Sequence, residues 1–299
     1  MLMSTIRDRL SAPAGALMMP PPGLEFDFSK PAGQAALVRP DSISWRIFKN
    51  PVSLFIGGIA AVILELAEPA VRSGVWDHSN FRRDAVMRLR RTGAAAMMTV
   101  YGPQEAAEAM IARVVRMHDT VRGTTPDGAA YHANDQRLLD WVQATASFGF
   151  IHAYHHYVAP LTESQRSQAF AEAAAGARLY GALGAPVSLG AWRAMLAETE
   201  PSLERSDIVF EFLDILRDAP IAPRPLRPLQ RLLIDAAVDM VPASVRHRLG
   251  LDAQGLSAAR RALVAVAARA ADRLPLHTAP PAQASIRMGL PAGHLYRRA

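Results

Sequence analysis

More than any other stretch of the sequence, the apolar run from Val52 to Leu64 constrains how this chain can fold. It follows Pro51, which suits the first turn of a helix because no backbone N–H is needed there. The predicted helix, about Pro51 to Ala67, is apolar nearly all round, so other elements have to enclose it. The run ends at Glu65, well short of the roughly 20 residues of a membrane-spanning helix. We therefore expect a central buried helix, no transmembrane segment, and a soluble, cytoplasmic protein.

Two adjacent glycines, Gly57 and Gly58, lie inside this helix. They permit the close approach of another backbone or of a ligand, or a simple kink. The other periodic segments have helical spacing, and the sequence shows no alternating strand pattern of any length and no internal repeat. Half of the 299 residues are apolar, which is enough for a sizeable core. The sequence therefore predicts an all-α protein with a single globular multi-helix domain.

Composition divides the chain into three parts. Residues 1–40 are rich in Pro, Gly and Ala, and they predict an irregular lead-in with one short helix at most. Residues 41–274 carry the periodic segments and predict the helical domain, with a loop at residues 123–128. Residues 275–299 are rich in proline and glycine, and we expect them to form a tail that wraps the surface.

Composition also excludes several classes of site and partner. With no cysteine, the chain has no disulfide, Cys-ligated zinc, iron–sulfur cluster, thiolate-ligated haem or c-type haem. The net charge of +6 comes from arginines interspersed with acidic residues, so a solvated surface is favoured and nucleic-acid binding is not expected. No P-loop, GxSxG or strand-associated GxGxxG motif is present.

A candidate site lies on two predicted helices that are separated by a break at residues 101–103. On the first helix, Arg88, Arg91 and Thr92 have i, i+3 and i+4 spacing and therefore share one face. On the second, His118 lies in line with an apolar stripe. This arrangement could form a haem pocket. A solvated basic face and a core histidine bonded to a carbonyl oxygen are the commoner explanations of such patterns.

Two further clusters of ionisable residues stand out. His152, His155 and His156 have the spacing of metal ligands on one helix face, but zinc would need another ligand from elsewhere. An ordinary exposed helix face is the favoured interpretation of these histidines. Glu65 and Glu68, at the end of the apolar helix, could be a general base pair, although a helix-end pair of carboxylates is commoner.

The order of several segments resembles the catalytic domain shared by latex-clearing rubber oxygenases and the oxygenase of mycophenolic acid biosynthesis. The matching stretches are, in chain order, WRIFKNP, ELAEPAVRSGVWDHS, RLRRTGAAAMMTVYGP, RVVRMHDTVRGTTPDGAAYHANDQRLLDWVQAT and VPASVRHRLGL. They cover most of residues 41–290. No single stretch is diagnostic, but the ordered set is fairly specific.

The resemblance implies an all-helical fold that holds haem b through a proximal histidine. On the match to RMHDTVRG, that ligand is His118. An Arg-x-x-Lys-Thr motif of the rubber oxygenases is similar in spacing to Arg88, Arg91 and Thr92. Its lysine can occupy the sixth iron position, whereas the guanidinium of Arg91 is a very poor iron ligand. We therefore expect an open or water-bound sixth position here.

This chain departs from the family pattern at two histidines. Glu68 replaces the histidine of the usual Ala-His-Pro, and Gln143 replaces the histidine of the usual Trp-Val-His. If either histidine takes part in the family's chemistry, the activity of this chain is altered. Glu68 itself is a candidate catalytic base.

The leading hypothesis is a haem-b-dependent oxygenase-like enzyme that acts with dioxygen on a small apolar substrate, unsaturated compounds included. His118 would bind the iron, with Arg91 and Arg122 as further cofactor-binding residues. Arg88 and Thr92 would polarise dioxygen or orient the substrate. The alternative is a non-catalytic helical protein that binds haem or a lipid-like ligand in the same pocket. The sequence does not predict an oligomeric state.

Asp119 and Arg122 flank His118 in the sequence. Either side chain could steer the tautomer or the charge of the imidazole. The sequence alone does not distinguish between them.

Overall fold

The computed structural model of the protein describes residue 23 and residues 25–296. Over these residues the chain forms thirteen α-helices and two strands of three residues each, so the predicted all-α fold is confirmed. The helices are, in chain order, α1 Ile43–Phe48, α2 Pro51–Ala67, α3 Pro69–His78, α4 Ala85–Tyr101, α5 Gln104–His118, α6 Gln136–Tyr157, α7 Glu163–Leu179, α8 Leu189–Thr199, α9 Asp207–Asp218, α10 Arg227–Met240, α11 Ala243–Arg248, α12 Ala258–Asp272 and α13 Pro280–Arg287.

The two strands form a small antiparallel hairpin between α5 and α6. Strand β1 is Arg122–Thr124 and strand β2 is Ala130–His132. The predicted loop at residues 123–128 is the turn region of this hairpin. Short 3-10 turns at Glu200–Ser202, Arg224–Leu226 and His294–Tyr296 complete the regular structure of the described residues.

Helix α2 is the buried centre of the domain, as the apolar run predicts. Asn50 caps its start, since the Asn50 side chain accepts a hydrogen bond from the backbone N–H of Ser53 at 2.9 Å. Pro51 occupies the first turn. The helix packs mainly against α6 and α10, and most of its side chains are buried.

Helices α2 and α6 approach each other so closely that their backbones are in contact. A Cβ atom placed on Gly57 would lie 2.5 Å from the carbonyl oxygen of Gly149, and a Cβ atom on Gly149 would meet the backbone of Gly57. At Gly58 the nearest atom to such a Cβ would be a ring carbon of Phe150, at 3.8 Å. Of the two glycines in the apolar run, only Gly57 is therefore required by the close approach.

The chain turns sharply where α2 ends. Helices α2 and α3 meet at a bend of 109°, and Glu68 lies at the corner as the N-cap of α3. No single helix of residues 25–296 is long and apolar enough to cross a membrane; α2 and α3 satisfy that length and composition test only when taken together as a bent pair.

The segments on either side of the predicted helical domain are packed together. Arg287 at the end of α13 is buried, and its guanidinium donates to the carbonyl oxygens of Phe28 (2.6 Å), Gln34 (2.9 Å) and Tyr101 (2.6 Å). The region expected to be a surface tail thus contains a helix that packs into the domain. Of the predicted lead-in, residues 1–22 and residue 24 lie outside the described residues.

Candidate functional site

A cavity of about 2100 Å³ lies between α3, α4, α5, the start of α6 and the hairpin. Helices α4 and α5 form one long side of it, because the chain reverses at Gly102 and Pro103 and brings the two helices together. The lining is mostly apolar. A volume of this size exceeds the roughly 300–1000 Å³ of most small-molecule sites, so the cavity can hold a large ligand or a ligand and a substrate together.

One end of the cavity, the ionisable end, carries a cluster of ionisable groups. Glu65 in the last turn of α2, Arg88 in the first turn of α4 and His118 at the end of α5 all line this part of the cavity. Thr92 lies one turn after Arg88 and also faces the cavity. The predicted common face is present, because the Thr92 hydroxyl accepts from Nη1 of Arg88 at 2.8 Å.

The carboxyl group of Glu65 has an unusual pKa. Burial raises its pKa to about 7, while the nearby charge of Arg88 and a long hydrogen bond from the Thr145 hydroxyl (3.5 Å) act in the opposite direction. Burial also lowers the pKa of Arg88, but a guanidinium remains protonated in proteins. The site therefore combines a permanent cation with a carboxyl group that exchanges its proton near neutral pH.

We expect Glu65 to make the stability of the ligand-free protein fall as the pH rises. Below pH 4.5, its ordinary pKa, both folded and unfolded states are protonated; between 4.5 and 7 only the folded state keeps the proton. The resulting cost grows across this window and then stays constant, on the order of 3 kcal/mol. Urea unfolding should show Glu65→Gln to be more stable than wild type at pH 8 and equal to it at pH 4.

The matched control is Glu68→Gln, which removes a neighbouring carboxylate that lies outside the cavity. This variant should lose stability at pH 8, because the Glu68 carboxylate pairs with Arg137. A stabilisation by Glu65→Gln that is the same at both pH values would contradict the expected role of the Glu65 proton.

The imidazole of His118 is held neutral. Burial and the charge of Arg88 lower its pKa, and contributions from Asn134 and Asp119 oppose them only in part. Its Nδ1 atom is buried and has no hydrogen-bond partner within the described part of the chain. Because Nδ1 is the buried nitrogen of a ring that lines the cavity, we infer that Nε2 is the nitrogen directed towards the open volume.

The hypothesis of Glu68 as a base does not fit its surroundings. Glu68 is buried at the α2–α3 corner and does not line the cavity. One carboxylate oxygen accepts from the backbone N–H of Val71 at 2.8 Å, and the other from Arg137 at 2.8 Å. Its role is to cap α3. Glu65 is the carboxylate of this pair that faces the cavity. The Glu-Pro sequence at residues 68–69 was the available signal, since an N-cap commonly precedes a proline.

The two arginines proposed to contact the cofactor lie in different places. Arg91 is exposed and lines the cavity, whereas Arg122 is exposed on β1 and lines a separate surface depression with Asp119 and His132. Sequence reasoning missed Arg113 of α5, which is exposed and also lines the cavity. Neither Arg91 nor Arg113 forms an ion pair with a described residue, so both can bind carboxylates of a ligand.

Apolar side chains line the other end of the cavity, together with polar residues of the flanking segments such as His277 and Gln283. Met98 on α4 lies ten residues after Arg88, which corresponds to about 15 Å along the helix. Met110 on α5 lines the same end, and so do Phe28 and Leu276 from the segments outside the predicted domain. These two flanking segments were not expected to take part in the site, because their contacts with it are distant in sequence.

The cluster of three histidines on α6 does not form a metal site. His152 stacks on Phe148 with ring centroids 4.3 Å apart, and burial lowers the pKa of its imidazole to about 3. Nδ1 of His155 accepts from the backbone N–H of Leu161 at 2.9 Å. No group of three or more His, Asp or Glu side chains suited to a metal ion occurs among the described residues. A haem iron, in contrast, needs only one protein ligand.

Comparison with known proteins identifies the family. A family profile described as "ER-bound oxygenase mpaB/B'/Rubber oxygenase, catalytic domain" matches residues 45–273. A search of curated proteins and a search of solved structures each found no match. The matched residues include Glu65, Arg88, Thr92 and His118, and they make up most of the chain. The protein therefore belongs to the family of mpaB and rubber oxygenase catalytic domains.

Proposed function

We propose that the protein is a haem-b-dependent oxygenase that acts on an apolar substrate. The observation that carries this proposal is His118, whose imidazole, with a lowered pKa, lines a large cavity together with Arg88 and Glu65. The residues fit a haem, since one imidazole provides the iron ligand and the lining is mostly apolar. When bound, haem would supply the dioxygen binding and electron transfer that amino-acid side chains lack.

Side chains of the protein would bind the haem and stabilise the charge that develops. Arg91 and Arg113 would bind the two propionate groups, because both are exposed cations that line the cavity, on α4 and α5 respectively. Arg88, fixed by its hydrogen bond with Thr92, would stabilise negative charge that develops in the site. Such stabilisation is stronger in a mostly apolar cavity than in bulk water.

Glu65 would act as the group that donates or accepts a proton during the reaction. With a pKa of about 7, a substantial fraction of its carboxyl groups is protonated and a substantial fraction ionised at neutral pH. Such a group can donate or accept a proton as the reaction requires. It lies in the cavity beside Arg88, whereas Glu68 has both oxygens occupied.

The lining favours an apolar substrate with some length. The end of the cavity around Met98, Met110 and Leu276 offers flexible and polarisable side chains that adapt to hydrocarbon. The family description names a rubber oxygenase, and an unsaturated apolar substrate is consistent with this lining.

The test is a haem titration of the purified full-length protein followed by dioxygen uptake. We expect a Soret band as isolated or after addition of one equivalent of haemin, and dioxygen consumption with candidate apolar alkenes. A protein that remains colourless and takes up no haemin would contradict the proposal. Haem binding without dioxygen consumption by any alkene would favour the alternative, a non-catalytic protein that binds haem or a lipid-like ligand.

A further inference from the structure

The side chain of Asn134 lies across the last turn of α5. Its amide nitrogen donates to Oδ1 of Asp119 at 2.6 Å and to the backbone oxygen of Val115 at 3.3 Å. These two acceptors belong to residues one position after and three positions before His118. Val115 lies three positions before His118 and so on the same side of the helix, and the side chain of Asn134 contributes as a hydrogen-bonding group to the pKa of the imidazole. The amide therefore lies beside the ring.

The two hydrogen bonds decide which way the amide points. A carboxylate oxygen and a backbone carbonyl can only accept, so both must face the NH₂ group of Asn134. Oδ1 of Asn134 therefore faces away from Asp119 and Val115. This oxygen is buried without a hydrogen-bond partner in the structure described, and the same is true of Nδ1 of His118.

Oδ1 of Asn134 and Nδ1 of His118 are thus two buried polar atoms that lie close together, each without a hydrogen-bond partner. An unsatisfied buried acceptor destabilises the fold, and most such atoms in proteins are paired. An imidazole Nδ1–H is the donor that Oδ1 of Asn134 lacks. If Nδ1 carries the proton, the lone pair of the ring is on Nε2, which is the nitrogen facing the cavity.

We propose that Asn134 is the positioning residue for His118, accepting a hydrogen bond from Nδ1–H and thereby presenting the Nε2 lone pair to the ligand in the cavity. Asp119 acts through Asn134, because its negative charge polarises the amide and strengthens Oδ1 as an acceptor. Of the two residues that flank His118, Asp119 is thus connected to the imidazole, and Arg122 is directed to the outer surface. The part of this inference that concerns iron rests on the proposed haem function.

The first test needs no haem. Nitrogen NMR of the ligand-free full-length protein should show the His118 ring of wild type as the Nδ1–H tautomer. In Asn134→Leu the acceptor is absent, and we expect the Nε2–H tautomer, which free imidazoles favour, to become the major form. Asp119→Asn keeps an acceptor for the amide of Asn134 and should give an intermediate ratio. Unchanged tautomer ratios in both variants would overturn the inference.

The second test uses the haem-loaded protein. Loss of the acceptor makes the imidazole a weaker donor, so Asn134→Leu should lower the iron–histidine stretching frequency and raise the reduction potential. Haem should dissociate about 10–100-fold faster. Asp119→Asn should change the frequency and potential in the same direction by a smaller amount.

The matched control is His132→Ala. The His132 ring also links the hairpin to the end of α5, through the backbone oxygen of Asp119 at 3.2 Å, but it is no partner of the His118 Nδ1 atom. This variant should leave the tautomer and the stretching frequency unchanged. A shift as large as that of Asn134→Leu would assign the effect to docking of the hairpin and overturn the inference. If wild type binds no haem, the proposed function fails while the tautomer measurement still decides the role of Asn134.

Discussion

Replacement of His118 by alanine should weaken haem binding by more than about 100-fold, because loss of an outer residue that merely supports an iron ligand already costs about 10–100-fold. His118 is the imidazole at the end of α5 that lines the ionisable end of the cavity. Titration with haemin, followed at the Soret band, measures the effect. The helical circular dichroism of the variant should match wild type, since the side chain is only half-buried.

The control for this variant is His78→Ala. His78 also lines the cavity, but it lies on α3 with its ring edge-on to Tyr131 at 6.4 Å, and it is exposed. We expect it to leave haem affinity unchanged. Added imidazole should restore a Soret band to His118→Ala, because it can occupy the space that the side chain leaves. Loss of haem from His78→Ala with retention by His118→Ala would show that the ligand has been assigned to the wrong histidine.

Replacement of Gly57 by alanine should destabilise the protein by about 3 kcal/mol. The new Cβ atom would lie 2.5 Å from the carbonyl oxygen of Gly149, so α2 and α6 would have to move apart. Both helices belong to the main core, and their neighbours would have to shift with them. The loss should be visible as a lower urea midpoint of the ligand-free protein.

Gly58→Ala provides the matched control in the same turn of the same helix. Its Cβ atom would have ordinary contact with Phe150 at 3.8 Å, so the substitution introduces no clash. Alanine is the better helix former by about 0.5–1 kcal/mol, and we expect Gly58→Ala to be slightly more stable than wild type. Equal effects of the two substitutions would contradict the packing of α2 on α6 described here.

The sequence was informative where the contacts are local. The apolar run predicted the central helix, and the i, i+4 spacing of Arg88 and Thr92 predicted their shared face, because these patterns depend on helix geometry alone. Helix geometry did not show that Glu65 lines the cavity and that Glu68, the predicted base, does not. The two glutamates are separated by the 109° bend, so they point into different surroundings although they are three residues apart.

The remaining parts of the site depend on contacts between distant segments. Asn134 reaches α5 only because the hairpin folds back, and its strands are too short to show an alternating pattern. Phe28 and Leu276 enter the cavity from opposite ends of the described chain. Periodicity and composition carry no information about which distant segments meet, so these residues could not have been predicted from the sequence.

Arg287 shows that the folded domain extends beyond the residues that the family profile matches. The family match ends at residue 273, yet this single guanidinium beyond it ties together the segment before α1, the end of α4 and its own helix. The ionisable end of the cavity lies inside the recurring unit, and the flanks complete the apolar end. Substitutions in the flanking segments should therefore change the size of molecule that the cavity admits and leave Glu65, Arg88 and His118 in place.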